Sequence, residues 1–220
     1  MDSGWAGVVG ALIGGAASFG ATWLHLSHER RAQKLANQER LKTVLFKGAL
    51  CLPRNVETAL GLLMECHGLK DKAADLDITL PERIESTTLL LIDPLSNMDS
   101  DLSSIPESYF PGFSALATAS ASIGSVRQYL SSKYLRDWMM PGGGAKRRID
   151  GFVETLIEHH LEAMVALQHD PEIDVRQVWP SDIVKRLKDG LSVADLDNQK
   201  VTRLLEALRE IARATSDGGR

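Results

Sequence analysis

Glu154, Glu158, His159, His160 and Glu162 crowd one short stretch of the chain. Imidazole and carboxylate groups at helical spacing are metal-ligand types. A di-iron helix, however, needs the order Glu-x-x-His, and His159 to Glu162 runs the other way. His160 falls among apolar positions and His159 among polar ones, so the cluster reads as a core histidine beside a solvated charged face. His25 and His28 lie one turn apart, and two ligands do not close a zinc site. Cys51 and Cys66 lack CxxC spacing and read as small core residues. No nucleophile or acid/base set stands out. The sequence therefore predicts a non-enzyme with no metal and no cofactor.

A second group is more suggestive. Arg127, Lys133, Arg136, Lys146, Arg147 and Arg148 are opposed through Arg148 by Asp137 alone, and Tyr129, Tyr134 and Trp138 are interleaved with them. Gly142-Gly-Gly144 precedes the last three cations. Glycines leading into a helix bring its first N–H groups and its dipole onto an anion. Cations with aromatic rings suit a nucleotide or short oligonucleotide whose bases stack. The candidate anion-binding residues are Arg127, Tyr134, Trp138, Lys146, Arg147 and Arg148. This is not a phosphate-binding Walker loop, because Lys146 follows Ala145 and Arg147 stands where Ser or Thr belongs. A glycine hinge with solvated charges is the plainer reading, and contact with anionic lipid headgroups is a third.

The elements that would position these residues are helical. His28 to Leu52 places Ala32, Leu35, Val44, Leu45, Ala49 and Leu52 at helical spacing, with Pro53 as a stop. Asn55 then caps a helix through Val56, Leu60, Leu63 and Met64 to Gly68. A short helix is expected over 81–92, although Leu89-Leu-Leu-Ile92 also fits a buried strand. A long helix from Pro111 to Met140 follows. After the glycines comes an amphipathic helix through Ile149, Phe152, Val153, Leu156, His160 and Met164, ended by Asp170-Pro171. Ser181 caps a helix to Gly190, and the last helix carries Val201, Leu204, Leu205, Leu208 and Ile211. No βαβ alternation occurs, so the fold class is all-α, a helical bundle.

Upstream of the bundle, Trp5 to Leu26 is a run of 22 uncharged residues. As a helix it spans roughly 33 Å, enough for a hydrocarbon core of about 30 Å. Arg30, Arg31, Lys34, Arg40 and Lys42 follow it and no basic side chain precedes it. The positive-inside bias then predicts the inner (plasma) membrane, with the N-terminus outside and the C-terminus cytoplasmic. The expected organisation is an outside segment 1–4, a transmembrane helix 5–26, a juxtamembrane helix 27–52, a bundle 53–213 and a tail 214–220. Residues 108–126 are also uncharged, but their apolar side chains repeat on one face, which favours a bundle helix over a second span. Ala6, Gly10, Gly14, Ser18 and Thr22 form a small-residue stripe at four-residue spacing, including a GxxxG unit, which favours helix packing in a bilayer. A dimer or trimer would bury that stripe. A ring would leave Ser18 and Thr22 lining a path with His25 at its mouth.

This layout of small-residue membrane helix, basic collar and helical cytosolic bundle resembles that of small bacterial single-pass membrane effectors of anti-phage defence. The resemblance rests on the N-terminal motif and the plan of the chain. It implies a homo-oligomeric inner-membrane effector or channel, gated by a signal that its cytosolic domain binds. A membrane-tethered oligomeric scaffold without pore activity is the alternative. The partners expected are the membrane, further copies of the chain, a nucleotide or short oligonucleotide, and a companion cytosolic protein. A net charge of −4 argues against a general nucleic-acid coater.

Overall fold

The computed structural model describes residues 3–67, 79–96, 110–139, 144–169, 179, 181–193 and 199–217. Within these, side chains are described for 22–66, 79–96, 111–138, 144–169, 179, 183, 185–191 and 199–209. Among the described residues there are seven helices and no strand. These are α1 (Ser3–His67), α2 (Leu80–Leu89), α3 (Phe110–Tyr129), α4 (Ser132–Met139), α5 (Ala145–Gln168), α6 (Ser181–Val193) and α7 (Gln199–Asp217). The all-α expectation holds. The chain divides into two compact units, Met1–Lys42 and Thr43–Arg220.

In the first unit Trp23, Leu24, Leu26 and Leu35 are exposed. His25 Nε2 lies 3.3 Å from the Glu29 carboxylate, and Lys42 Nζ lies 3.7 Å from that of Glu39. Among the described residues no helix is long and apolar enough to cross a membrane. The span predicted over Trp5–Leu26 has its side chains up to residue 21 outside the described residues, and with them Ala6, Gly10, Gly14 and Ser18. Thr22 and His25 are exposed helical positions.

In the second unit α1 contributes a core stripe of Leu45, Ala49, Leu52, Val56, Ala59, Leu63 and Cys66. Pro53, expected to stop a helix, lies inside α1 instead. Proline has no N–H, and its ring crowds the carbonyl four residues back, at a cost of about 3 kcal/mol. That carbonyl belongs to Ala49, and the buried indole Nε1–H of Trp179 donates to it at 3.0 Å. The rung proline removes is thus filled from outside the helix, which is why α1 continues. Asn55 accordingly caps nothing. It sits fully buried in the helix interior and binds a loop, as described below.

The Leu89–Ile92 stretch is not a strand: α2 ends at Leu89, and Leu91 to Asp93 run irregularly. The helix expected from Pro111 to Met140 is two helices, α3 and α4, divided at Leu130 and Ser131. The second start is stabilised from α2, where the Glu85 carboxylate accepts the Ser132 backbone N–H at 3.2 Å. Phe113, Leu116, Ile123 and Leu130 are buried on one face, as expected of a bundle helix. Helix α5 packs along α3 on one side and α7 on the other. Helix α6 continues past Gly190, its expected end, to Val193; that glycine touches α1, where a Cβ would stand 2.8 Å from Leu60 Cδ1. Gly48 likewise lets α1 approach Leu116, whose Cδ1 would be 2.7 Å from an added Cβ. Lys200 on α7 reaches both Glu158 (3.0 Å) and Glu162 (2.8 Å) on α5.

Candidate functional site

The basic segment spans the start of α5 and the two helices before it. Gly144 precedes α5 in a left-handed conformation (φ 65°), which glycine adopts without strain, and no side chain caps the helix among the described residues. Arg147 and Arg148 therefore lie in the first turn, exposed, and neither forms an ion pair among the described residues. Lys146 Nζ is 3.8 Å from the Asp150 carboxylate one turn on. The guanidinium of Arg148 lies over the Trp138 ring, 5.4 Å from its centroid. A guanidinium stacked in this way keeps its in-plane N–H edge for an anion, and loses little side-chain entropy when one binds.

Behind the arginines the rings contact one another. Trp138 and Phe152 are parallel at 6.1 Å, Tyr129 stacks on Phe152 at 4.8 Å, and Tyr134 lies 6.3 Å from Tyr129. Lys133 Nζ is 6.0 Å above the Tyr134 ring. The ring faces are thus used in stacking on each other and on Arg148, so the rings serve to place that guanidinium. Tyr129, Trp138, Arg147, Arg148, Gly151, Phe152 and Thr155 line a groove of about 530 Å³.

Of the residues predicted for an anion site, the structure brings together Trp138, Arg147 and Arg148, with Tyr134 joined through Tyr129. Arg127 faces elsewhere. Its Nε donates to the Thr88 carbonyl at 3.4 Å and its Nη2 to that of Leu91, closing the end of α2. Gly142 and Gly143, the rest of the predicted hinge, lie outside the described residues. Phe152 was counted as core in the sequence, yet it is the ring that joins Tyr129 to Trp138. Its spacing of i+4 from Arg148 was the available signal. Tyr129 and Trp138 come from separate helices, and nothing in their spacing announces the contact.

The histidine pair resolves into two roles. His160 is fully buried, and its Nδ1–H donates to the Leu156 carbonyl at 2.8 Å. This leaves Nε2 as an acceptor for Asn55 Nδ2 at 3.0 Å. Asn55 Nδ2 also donates to the Ile92 carbonyl, and Asn55 Oδ1 accepts the Ile92 N–H, both at 2.8 Å. Burial pulls the His160 pKa down to about 4, so the ring is neutral near pH 7. His159, expected on the polar face, is half-buried, and its Nδ1 is buried without a hydrogen-bond partner among the described residues. No group of three or more potential metal ligands occurs among the described residues. The Cys66 thiol is pushed up to about 12 by burial, with Asp150 and Glu65 adding to it, and both cysteines are unpaired thiols.

No family model matches the chain, and neither a curated protein nor a solved structure matches it.

Proposed function

We propose that this chain is a helical receptor for a phosphorylated ligand, carried on an N-terminal membrane helix and acting as a ligand-gated, homo-oligomeric membrane effector or channel. The observation that carries the receptor reading is the pair Arg147 and Arg148. Two guanidinium groups without ion-pair partners among the described residues sit on the first turn of α5, and one is held against Trp138 at the edge of a groove. Cations without ion-pair partners among the described residues, placed at a helix N-terminus, favour an anion, and a phosphate is the anion proposed here. Support for the membrane reading is the uncharged run Trp5–Leu26 with basic residues after it, and the exposure of Trp23, Leu24 and Leu26 where that run ends. The stripe Ala6, Gly10, Gly14, Ser18 and Thr22 then supplies the packing face between copies.

The test is calorimetric titration of the purified chain with pyrophosphate, before and after Arg147→Glu and Arg148→Glu together. Each charge-assisted contact contributes about 1.5–3 kcal/mol, so reversing both should remove micromolar binding. Binding that survives the double reversal would exclude this site. Vesicles with and without anionic lipid separate a phosphate ligand from a headgroup, and dye release on ligand addition tests gating.

The scaffold reading has one observation in its favour. Phe46, Leu50, Leu89 and Leu90 are exposed on the second unit, large apolar side chains of the kind that partner proteins cover.

A further inference from the structure

The groove beside Arg147 and Arg148 does not end at Phe152. Phe152 and Thr155 also line a second groove, of about 540 Å³, between α3 and α5. The two grooves adjoin at Phe152 and Thr155 on α5. Arg148, Phe152, Thr155 and His159 stand at i, i+4, i+7 and i+11, one face of a helix over roughly 16 Å. A phosphate group fills only one end of such a trough.

The remainder has a definite chemistry. Its polar lining is Ser114, Thr118, Ser122, Ser125, Thr155 and His159. Four of these hydroxyls spend their protons on their own helices. Thr118 donates to Ser114 O at 3.1 Å, Ser122 to Ala119 O at 2.6 Å, Ser125 to Ala121 O at 3.2 Å and Thr155 to Gly151 O at 2.8 Å. With its proton so used, each of these oxygens keeps lone pairs to accept a donor. The complementary ligand brings N–H and O–H donors to this end and no second negative charge. Ala117 and Ala121, with the Phe152 side chain, supply apolar surface between the hydroxyls. His159 lines the far end of this groove.

We infer that the ligand of this trough is a nucleoside phosphate. Its phosphates lie at Arg147 and Arg148, and its sugar hydroxyls and an amino-bearing base lie along the hydroxyl-lined wall of α3. This rests on the phosphate reading of the two arginines and adds the organic half of the ligand. Sugar hydroxyls and an exocyclic amino group are donors that the lone pairs of this wall can accept, and the apolar surface of Ala117 and Ala121 suits a flat base.

The experiment compares pyrophosphate with ADP, which carry the same diphosphate, by titration calorimetry on the full chain. ADP is expected to bind about tenfold more tightly or better, the worth of one or two satisfied hydrogen bonds with some apolar burial. Thr118→Val with Thr155→Val removes two acceptor oxygens at exposed positions with little change of shape. This pair should bring ADP down to the pyrophosphate level and leave pyrophosphate unchanged. Ala121→Trp, which fills the trough without touching a hydroxyl, should do the same. Far-UV circular dichroism and thermal melts check that each variant is folded. The inference is overturned if pyrophosphate binds and ADP binds no tighter, or if the double valine variant keeps the ADP preference. If neither probe binds the wild-type chain, the phosphate reading itself falls, and the nucleoside inference with it.

Discussion

The rung that Trp179 supplies to Ala49 can be tested as a pairwise coupling. Trp179→Phe keeps a ring at a nearly buried position but removes the indole N–H that donates at 3.0 Å. With Pro53 in place no intrahelical donor is available to the Ala49 carbonyl, so it is left buried and unsatisfied. The expected cost is about 1–3 kcal/mol for that oxygen, beyond the packing loss of a smaller ring. In a Pro53→Ala background the residue-53 N–H can donate to Ala49 O, and the same tryptophan change should cost only its packing. Urea unfolding followed by far-UV circular dichroism on the four proteins gives a double-mutant cycle, in which cavity effects at each site cancel. A coupling energy of at least about 1 kcal/mol is expected. If Trp179→Phe costs the same in both backgrounds, the tryptophan is merely packed there, and α1 passes Pro53 for some other reason.

His160 makes stability depend on pH. Its folded pKa is about 4 against the ordinary 6.5, so the unfolded chain binds the proton more readily. Its contribution is therefore complete above pH 6.5 and is lost as pH falls from there towards 4, about 3 kcal/mol in all. Urea midpoints between pH 7.5 and 4.5 should fall more steeply for the wild type than for His160→Gln, and parallel slopes would count against the buried-ring account. Gly61→Ala should stabilise by about 0.5–1 kcal/mol, since nothing lies within 4 Å of its added Cβ. Gly48→Val should cost about 1–3 kcal/mol by overpacking, because Leu116 and the Pro94 carbonyl already crowd that point; thermal melts decide both. On the proposed membrane helix, Gly10→Leu or Gly14→Leu should abolish crosslinking between copies while Leu12→Ile leaves it intact, and equal crosslinking in all three would refute packing through the small-residue stripe.

What could be read in the sequence was what depends on neighbours along the chain. The face of α5 that buries Ile149, Val153, Leu156, His160 and Met164 follows from a 3.6-residue period, as does that of α7 with Val201, Leu205 and Leu208. The end of α5 before Asp170-Pro171 was equally local. The misreadings share a cause, which is compensation from far away. Pro53 looks like a stop until Trp179 is seen beside Ala49. Asn55 looks like a cap until Ile92 and His160 are found around it. The division between α3 and α4 carries no proline or glycine, and Glu85, from another helix, satisfies the new start. At the candidate site, Arg147 and Arg148 were legible as adjacent cations at the start of a helix. Arg127 has the same charge but a different duty, set by the carbonyls of α2.

Asn55 offers Ile92 both halves of an amide, so its side chain pairs with that residue as one strand pairs with the next. Its second amide proton is held by His160. No other side chain reproduces this set: aspartate would turn an oxygen towards two acceptors, and glutamine would overreach by a methylene. Position 55 should therefore change in evolution only together with position 160 and a rebuilt 91–93 loop, just as position 53 should change with 179. Two correlated pairs, Pro53 with Trp179 and Asn55 with His160, would thus mark a distant relative of this bundle after overall identity had faded, because what is inherited at these sites is a partnership and not a residue.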